Sequence, residues 1–232
     1  MKLKHLFKEL LSGVHVRIKS GPLRGMKWIA TSGGRFVSGD QEQYKTDAFL
    51  KNFTPGSVFF DIGAHIGYYS AMAAMLNKDE GKVFAFEPRP MNARFFRKHM
   101  RMNGLENVTL FEAAVGDSDT WVKFETGHGS ATGKVSSEGD LKVKQVCIDT
   151  MIKNGELPSP HFIKIDVEGG EIQVLKGLKE VIEKEKPKLI VATHNPGCYN
   201  FTIDFLTRNH YRYEVLNPGS EKGDTEIVAL PQ

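Results

Sequence analysis

A turn with two glycines follows the apolar run Val58–Ile62 and is well suited to hold a ligand. Gly63 and Gly67 stand four residues apart, and glycines let the backbone approach a ligand closely at the carboxyl end of a strand. Asp61 precedes them, and its charge would repel a diphosphate but attract the ammonium of an amino-acid group. The dinucleotide pattern G-x-G-x-x-G is not matched, because position 65 is His65. The turn therefore predicts a ligand with a methionine-like group rather than a dinucleotide.

A second acid, Glu87, ends the next apolar run, Val83–Phe86, twenty residues beyond Gly67. A carboxylate at this position can accept hydrogen bonds from both hydroxyls of a ribose, as it does in dinucleotide-binding folds. The glycine turn, the acid before it and this second acid together predict a pocket for a nucleoside that carries an amino-acid group.

Short apolar strands alternate with helical segments from about residue 57 onward. The predicted strands are Val58–Ile62, Val83–Phe86, Val108–Phe111, Phe162–Ile165 and Leu189–Ala192. The predicted helices are Gly67–Leu76, Met91–Met102 and Glu171–Glu185, and the predicted C-terminal antiparallel hairpin joins Tyr211–Leu216 to Glu226–Leu230. This alternation predicts an α/β fold with a doubly wound, mostly parallel sheet that has helices on both faces.

An insertion interrupts the alternation at about residues 117–149. Two stretches in it, 121–124 and 142–146, alternate like strands and are separated by glycines. We therefore predict a flexible insertion that contributes edge strands.

Residues 1–56 form an N-terminal region with its own pattern, ahead of a main domain at 57–232. Met1–Leu11 predicts a short basic amphipathic helix, which is expected to pack on the body of the protein, to contact a membrane surface through residues 2–11 or to bind a partner. Ser20–Asp40 is rich in glycine and predicts short strands and turns that act as a lid or cap.

Composition describes an ordinary globular chain. The 232 residues are 40% hydrophobic and 25% charged, which excludes fibrous and disordered proteins. Cys147 and Cys198 cannot build a disulfide framework, so we predict a cytoplasmic location. The net charge of +3 gives no firm evidence for nucleic acid as a partner. No apolar run of about 18 residues and no signal peptide occur, so we expect no transmembrane segment.

Four sequence blocks resemble the FkbM-type class I methyltransferases that use S-adenosylmethionine. The blocks are FDIGAHIGYYS at 60–70, FEP at 86–88, EAAVGD at 112–117 and IKIDVEGGE at 163–171. Their order and separation match the family over roughly residues 36–216, and the last block is the most specific. The resemblance implies a seven-stranded Rossmann-like sheet and transfer of a methyl group to oxygen, with S-adenosylhomocysteine as product. The implied acceptor is a hydroxyl of a sugar, a glycan or a secondary metabolite.

The resemblance also implies a set of cofactor-binding residues. The methionine half would be lined by Asp61, Gly63 and Gly67 with Ala64 and His65 of the same turn, the ribose by Glu87, the adenine edge by Ala113 and Ala114, and a further cofactor contact by Glu42. The chain departs from the pattern at Ala192, because the family frequently has Glu-x-His where this sequence reads Ala-Thr-His. The acid is missing there, whereas His194 is retained.

Methyl transfer to a hydroxyl needs an aligned oxygen and a base that removes its proton. Asp166 and His194 are the candidates, because both follow predicted neighbouring strands at the edge where doubly wound folds bind ligands. Glu168 is a third candidate, although it could instead cap the helix that follows.

Other readings of these residues stay open. Asp166 with His194-Asn195 resembles a divalent-metal set, although the histidine weakens it for magnesium, and we predict no metal ligand. A basic helix face allows an RNA or protein acceptor; it is formed by Arg89, Arg94, Arg97, Lys98 and Arg101. The last alternative is a non-catalytic module that binds the cofactor and a partner.

Overall fold

The structure is a computed structural model that describes residues 14–39, 42–126, 133–220 and 223–232. The helix predicted over Met1–Leu11 lies outside the described residues. The strands are β1 His15–Arg17, β2 Lys27–Ile29, β3 Val58–Ile62, β4 Lys82–Phe86, β5 Val108–Phe111, β6 Ala113–Val115, β7 Thr120–Glu125, β8 Lys134–Val135, β9 Leu141–Val146, β10 Phe162–Ile165, β11 Lys188–Thr193, β12 Tyr211–Val215 and β13 Thr225–Pro231. The helices are α1 Gly34–Ser38, α2 Gln43–Asn52, α3 Tyr68–Asn77, α4 Pro90–Met102, α5 Ile148–Lys153, α6 Glu171–Lys176, α7 Lys179–Glu185 and α8 Pro196–Arg208.

Seven strands form the main sheet in the order β12-β13-β11-β10-β3-β4-β5. The strands from β11 to β5 in this order run parallel, whereas β13 is antiparallel to both β11 and β12. This topology confirms the predicted fold class, including the C-terminal hairpin. The chain moves outward from β3 through β4 to β5 on one side and through β10 to β11 on the other. A ligand crevice is expected where the order reverses, between β3 and β10.

The sheet is buried on both faces because side chains in β3 alternate between them. Phe59 packs into a hydrophobic cluster with Phe49 and Ala71. Phe60 and Ile62 pack into a second cluster on the opposite face, which includes side chains of α6 and α7. The position between them, Asp61, is also fully buried, so a charged group stands inside an otherwise apolar strand.

The single helix predicted over Glu171–Glu185 is wrong, because the structure has two helices there, α6 and α7. The break falls at Gly177, whose backbone lies directly against Gly116. A Cβ on Gly177 would be 1.9 Å from the Gly116 carbonyl oxygen, so the chain can pass this point only as glycine.

The insertion supplies three strands of a separate four-stranded sheet, in the order β6-β9-β7-β8, rather than edge strands of the main sheet. The predicted strand-like stretches 121–124 and 142–146 lie in β7 and β9, which pair antiparallel. Phe124 of β7, Val143 of β9 and Ala114 of β6 form a buried apolar cluster on this sheet. The small sheet therefore has its own apolar face, which explains why it does not extend the main sheet.

Strand β2 of the N-terminal region packs against α4, where a buried histidine, His99, makes several of the contacts. Trp28 of β2 is fully buried, and its ring stacks on His99 of α4 with 3.7 Å between centroids. The Ile29 N–H donates to His99 Nε2 at 3.1 Å, and His99 Nδ1 donates to the Ile66 carbonyl at 2.9 Å. Burial lowers the pKa of His99 to about 4, so the ring stays neutral and can both donate and accept.

The segment Ser20–Asp40, predicted as strands and turns, also contains helix α1. Among the helices in the described ranges, none has the length and apolarity that crossing a membrane would require.

Candidate functional site

A cavity of about 260 Å³ opens at the carboxyl ends of the parallel strands β3, β4, β10 and β11. Its wall includes ten of the residues predicted from sequence, namely Glu42, Gly63, Ala64, His65, Glu87, Ala113, Ala114, Asp166, Glu168 and His194. Two predicted residues, Asp61 and Gly67, lie behind the wall instead. The cavity occupies the crevice expected between β3 and β10.

The glycine turn is held in place by contacts that only glycine permits. Gly63 has φ +77°, and a Cβ there would be 1.8 Å from the Asp166 carbonyl oxygen. The Gly63 and Ala64 N–H groups both donate to the Phe86 carbonyl at 3.0 Å, which ties the turn to the end of β4. The turn therefore lies flat against the ends of both neighbouring strands, with its backbone towards the cavity.

Asp61 is directed into the protein rather than into the cavity. Its register partner in the parallel pair β3–β10 is Lys164, whose ammonium lies 3.3 Å from Asp61 Oδ1. The Ser70 hydroxyl donates to Asp61 Oδ2 at 2.6 Å. The Lys164 ammonium also donates to the Gly63 carbonyl at 2.9 Å. Asp61 thus acts on the glycine turn through this lysine, which does line the cavity.

Gly67 has a packing role in the described structure. Its φ is +92°, and a Cβ would lie 2.7 Å from the Phe96 ring and 2.8 Å from the end of the Met100 side chain. The glycine therefore lets the start of α3 approach α4 closely, which positions the turn without contacting the cavity.

Glu87 lines the cavity at the end of β4 and also braces the glycine turn. Its Oε2 accepts from the His65 N–H at 2.9 Å, and its Oε1 accepts from the Arg89 N–H at 2.9 Å and from Asn92 Nδ2 at 3.1 Å. The side chain is only 5% exposed, and this burial raises the pKa of Glu87 to about 7 despite the hydrogen bonds. Ala113 and Ala114 of β6, also buried, form the neighbouring apolar wall.

Asp166 and His194 meet at the opposite side of the cavity, as their positions after β10 and β11 predicted. His194 Nε2 lies 3.4 Å from Asp166 Oδ1 and 3.7 Å from Glu168 Oε1. His194 Nδ1 lies 2.8 Å from Glu171 Oε1, and Glu171 is fully buried at the start of α6. Glu168 has φ +57° and lies at the cavity, whereas the N-cap of α6 is Gly170, so Glu168 does not cap that helix.

The charges of this pair are set by its neighbours. Burial disfavours the charge on His194, but the hydrogen bond to Glu171 and the nearby carboxylates raise its pKa to about 9. Burial likewise disfavours the Asp166 carboxylate, but Lys45 and Lys164 hold the pKa of Asp166 well below its usual range. At neutral pH the structure therefore contains an ionised Asp166 beside a protonated His194.

Lys45 is the main site residue that the sequence analysis missed. Its side chain is 1% exposed, and its ammonium lies 2.8 Å from Asp166 Oδ2, 2.9 Å from Glu42 Oε2 and 2.9 Å from Glu226 Oε1. Lys45 occupies the buried side of α2 with Ala48 and Phe49, at i, i+3 and i+4. The sequence could have indicated this role, because the lysine occupies a helix position on the same side as apolar residues. A buried cation requires anionic partners.

Glu226 of β13 is the second site residue that the sequence analysis missed. It lies beside the position in β11 at which the family frequently has an acid and this chain does not. In the antiparallel pair β11–β13, Glu226 is directly opposite Ala192. Paired residues share a face with their Cβ atoms about 5 Å apart. The carboxylate of Glu226 thereby reaches the region that an acid at position 192 would occupy, and there it binds Lys45.

The metal set considered from sequence is not assembled as proposed. Asn195 is turned away, since its Oδ1 accepts from the Cys198 N–H at 2.9 Å and caps α8. Ligand atoms of Asp166, Glu168 and His194 do lie within 4.8 Å of one another, a separation that a divalent ion could bridge. Asp166 Oδ2, however, is already bonded to Lys45. This arrangement fits an ion-pair network at least as well as a metal ligand set.

The main sheet includes the antiparallel strand β13, and the cavity lies at the carboxyl ends of β3 and β4. Together these features define the class I methyltransferase fold. Residues 61–213 match the family described as the methyltransferase FkbM domain, and the chain belongs to that family.

Two curated relatives carry named activities. The chain is 30% identical over 152 residues to the hexuronic acid methyltransferase AglP of Haloferax volcanii, covering 64% of this chain and 60% of that protein. It is 26% identical over 152 residues to the 2-O-methyltransferase NoeI of Sinorhizobium fredii, covering 57% of this chain and 61% of that protein. The chain thus spans about three fifths of the length of these relatives.

The crystal structure of methyltransferase FkbM from Methylobacillus flagellatus KT has the same fold. It superimposes with a TM-score of 0.58 at 22% identity, covering 80% of this chain and 47% of that one. At this identity the likeness concerns the fold alone.

Proposed function

We propose that the protein transfers a methyl group from S-adenosylmethionine to a hydroxyl oxygen of a sugar, glycan or related polyhydroxylated metabolite. The observation that carries the proposal is the single cavity that joins the glycine turn and Glu87 on one side to Asp166 and His194 on the other. The relatives named for hexuronic acid methylation and 2-O-methylation support a sugar acceptor.

The residues of the first side fit the adenosyl group and its methionine part. Gly63 brings backbone to the cavity without a side chain, and Glu87 offers Oε2, with one hydrogen bond already made, to a ribose hydroxyl. Ala113 and Ala114 offer an apolar wall to the adenine. Glu42, predicted as a cofactor contact, suits the positive sulfonium and ammonium. When bound, the cofactor supplies an electrophilic methyl group.

The residues of the second side would position the acceptor hydroxyl and take up its proton. Orientation alone is worth roughly 7 to 11 kcal/mol in such reactions, and a well-placed base adds about 10² to 10⁴-fold. His194 Nε2 is the proposed base, because Glu171 holds Nδ1 and leaves Nε2 towards Asp166 and the cavity. Asp166 and Glu168 then stabilise the imidazolium that forms. Since the pKa of His194 is raised to about 9, we expect kcat/KM to rise with pH up to that value.

Calorimetry with S-adenosylhomocysteine, followed by a labelled methyl-transfer screen over glycans and polyhydroxylated metabolites, tests the proposal. We expect binding and transfer to at least one hydroxylated acceptor. No binding of S-adenosylhomocysteine to the folded protein would contradict it. Tight binding without transfer to any acceptor would favour the non-catalytic module.

The remaining predictions have simple tests. Turnover after dialysis against a chelator should be unchanged, because Lys45 already neutralises Asp166. Loss of turnover that a divalent ion restores would support the metal alternative.

An RNA or protein acceptor would show binding that falls steeply as the salt concentration rises. One cation of the basic helix face, Arg97, is already paired with Glu112. The predicted cytoplasmic location is supported by Cys147 and Cys198, which are both free and buried.

A further inference from the structure

The wall of the cavity away from Glu87 carries an excess of negative charge. We define the acceptor half as Lys45 of α2 together with the groups that follow β10 and β11 and begin β13. It consists of Lys45, Asp166, Glu168, His194, Asp224 and Glu226. Four carboxylates there face two cations. The Lys164 ammonium at its border is matched by Asp61 at 3.3 Å.

Both cations of the acceptor half are already used by carboxylates. The Lys45 ammonium has the carboxylates of Asp166, Glu226 and Glu42 within 2.9 Å and is 1% exposed. His194 has Glu171 at 2.8 Å on Nδ1, and Asp166 at 3.4 Å on Nε2. Within the described residues, the acceptor half therefore offers an incoming anion no cation that lacks a carboxylate partner.

The excess of negative charge also affects the pKa values of the acids in the acceptor half. Burial, together with neighbouring carboxylates, raises the pKa of both Glu168 and Glu226 above their ordinary values. A further carboxylate from a ligand would add to this repulsion, because charges a few ångströms apart in a partly buried site interact strongly.

The unfilled hydrogen-bonding capacity of the cavity wall suits hydroxyl groups instead. Glu226 Oε2 is buried and accepts no hydrogen bond from any described residue. The Tyr68 hydroxyl, in a side chain that is 3% exposed, likewise has no hydrogen-bond partner in the described ranges. An alcohol can donate to the first and either donate to or accept from the second.

We infer that the acceptor is an uncharged, polyhydroxylated sugar and that the acidic acceptor half excludes sugars bearing a carboxylate. The inference rests on the proposed function and narrows its substrate class. It separates this chain from the Haloferax volcanii relative, whose name specifies a hexuronic acid.

Matched sugar pairs test this inference on the full chain. Labelled methyl transfer is measured at neutral pH with methyl glycosides of glucose, galactose and mannose and with their uronate counterparts. We expect kcat/KM to be at least about tenfold higher for the neutral member of a pair that reacts. Equal rates, or a preference for the uronates, would overturn the inference and leave the proposed function intact. No transfer to any of these sugars would overturn the inference, whereas the proposed function fails only if the wider screen of glycans and polyhydroxylated metabolites also shows no transfer.

A variant that removes one negative charge tests whether the cavity wall causes the preference for neutral sugars over uronates. Glu168→Gln keeps the shape of the side chain and should raise uronate kcat/KM relative to the neutral partner by several-fold, whatever its effect on absolute rates. Glu183→Gln, on the exposed surface of α7, is the matched control and should leave the ratio unchanged. An unchanged ratio in Glu168→Gln, in an enzyme that does discriminate, would overturn the inference.

Discussion

The ammonium of Lys45 lies 2.8 Å from the carboxylate of Asp166, and this contact joins helix α2 to the carboxyl end of β10. A cation from the first quarter of the chain is thus fixed on an acid that lies 121 residues later. Because Lys45 also binds Glu42 and Glu226, it holds three separate segments of the chain at one wall of the cavity.

Lys45→Met should destabilise the protein by about 3 to 5 kcal/mol, because it removes the shared partner of buried carboxylates. The free energy of unfolding in urea measures the loss. Lys51→Met, an exposed position on the same helix, is the control and should change stability by less than about 0.5 kcal/mol. Similar values for the two variants would show that the buried network contributes little.

Glu226→Ala should also destabilise, since Lys45 then loses one of its three carboxylates. Because Ala192 is directly opposite Glu226, adding Ala192→Glu to that variant should restore part of the loss by returning an acid to the same wall. A double-mutant cycle measures the recovery. If Ala192→Glu lowers stability equally in both backgrounds, the two positions are not interchangeable.

Gly63→Ala should cost more stability than the same change at Gly155. Both glycines have similar positive φ, +77° and +75°, so the backbone strain is matched. Only at Gly63 would the new Cβ meet another atom, the Asp166 carbonyl oxygen at 1.8 Å, whereas nothing lies within 4 Å at Gly155. We expect Gly155→Ala to lose about 1 kcal/mol and Gly63→Ala clearly more, together with weaker binding of S-adenosylhomocysteine. Equal losses would argue against the close contact.

Affinity for S-adenosylhomocysteine should rise with pH through the pKa of Glu87. With that pKa raised to about 7, the ionised fraction grows from about one tenth at pH 6 to about nine tenths at pH 8. Ribose hydroxyls bond more strongly to a carboxylate than to a neutral acid, so calorimetry should show up to about tenfold tighter binding at pH 8. Glu87→Gln cannot titrate and should bind more weakly with no such trend. A slope that persists in this variant would assign the titration to another group.

Stability should fall at alkaline pH through His194. Its folded pKa of about 9 is above the ordinary value of 6.5, so its contribution is complete below pH 6.5 and is lost as the pH rises through 9. The free energy of unfolding should therefore decrease more steeply over this range in the wild type than in His194→Gln. Parallel curves for the two proteins would contradict the assignment.

Glu171→Gln provides an independent check on the same histidine. Removing the carboxylate that lies 2.8 Å from Nδ1 should lower the pKa of His194, which NMR titration of the imidazole measures directly. Cys198→Ser, which also changes a neighbour of this region but keeps the Glu171 charge, is the control and should leave that pKa close to its wild-type value. An unchanged pKa in Glu171→Gln would mean that Asp166 and Glu168 set the charge alone.

The main sheet and most of the cavity wall could be predicted from the sequence because both depend on local patterns. Val58–Ile62 and Phe162–Ile165 were predicted with the bounds that the structure gives. Their acids at the strand ends share an edge because parallel strands end together. Asp61 followed the same pattern but is turned inward, since its place in β3 lies beside Lys164.

The long-range ion pairs could not be predicted in this way. Lys45 and Glu226 come from opposite ends of the chain, and no spacing or motif connects them. The break at Gly177 was equally hidden, because it depends on the backbone of Gly116, sixty-one residues earlier. Such features depend on tertiary packing, which overrides a helical pattern that is locally uninterrupted.

The position of β13 has a consequence for how the protein is made. This strand follows β11 and β12 in the chain yet lies between them in the sheet, so a nascent polypeptide cannot complete the sheet before residues 225–231 emerge from the ribosome. Until then Lys45 lacks one of its counter-ions. We would expect partly synthesised chains to form the glycine turn but to lack the complete set of ion pairs around Lys45. The ability to select an acceptor would then arise only at the last stage of folding.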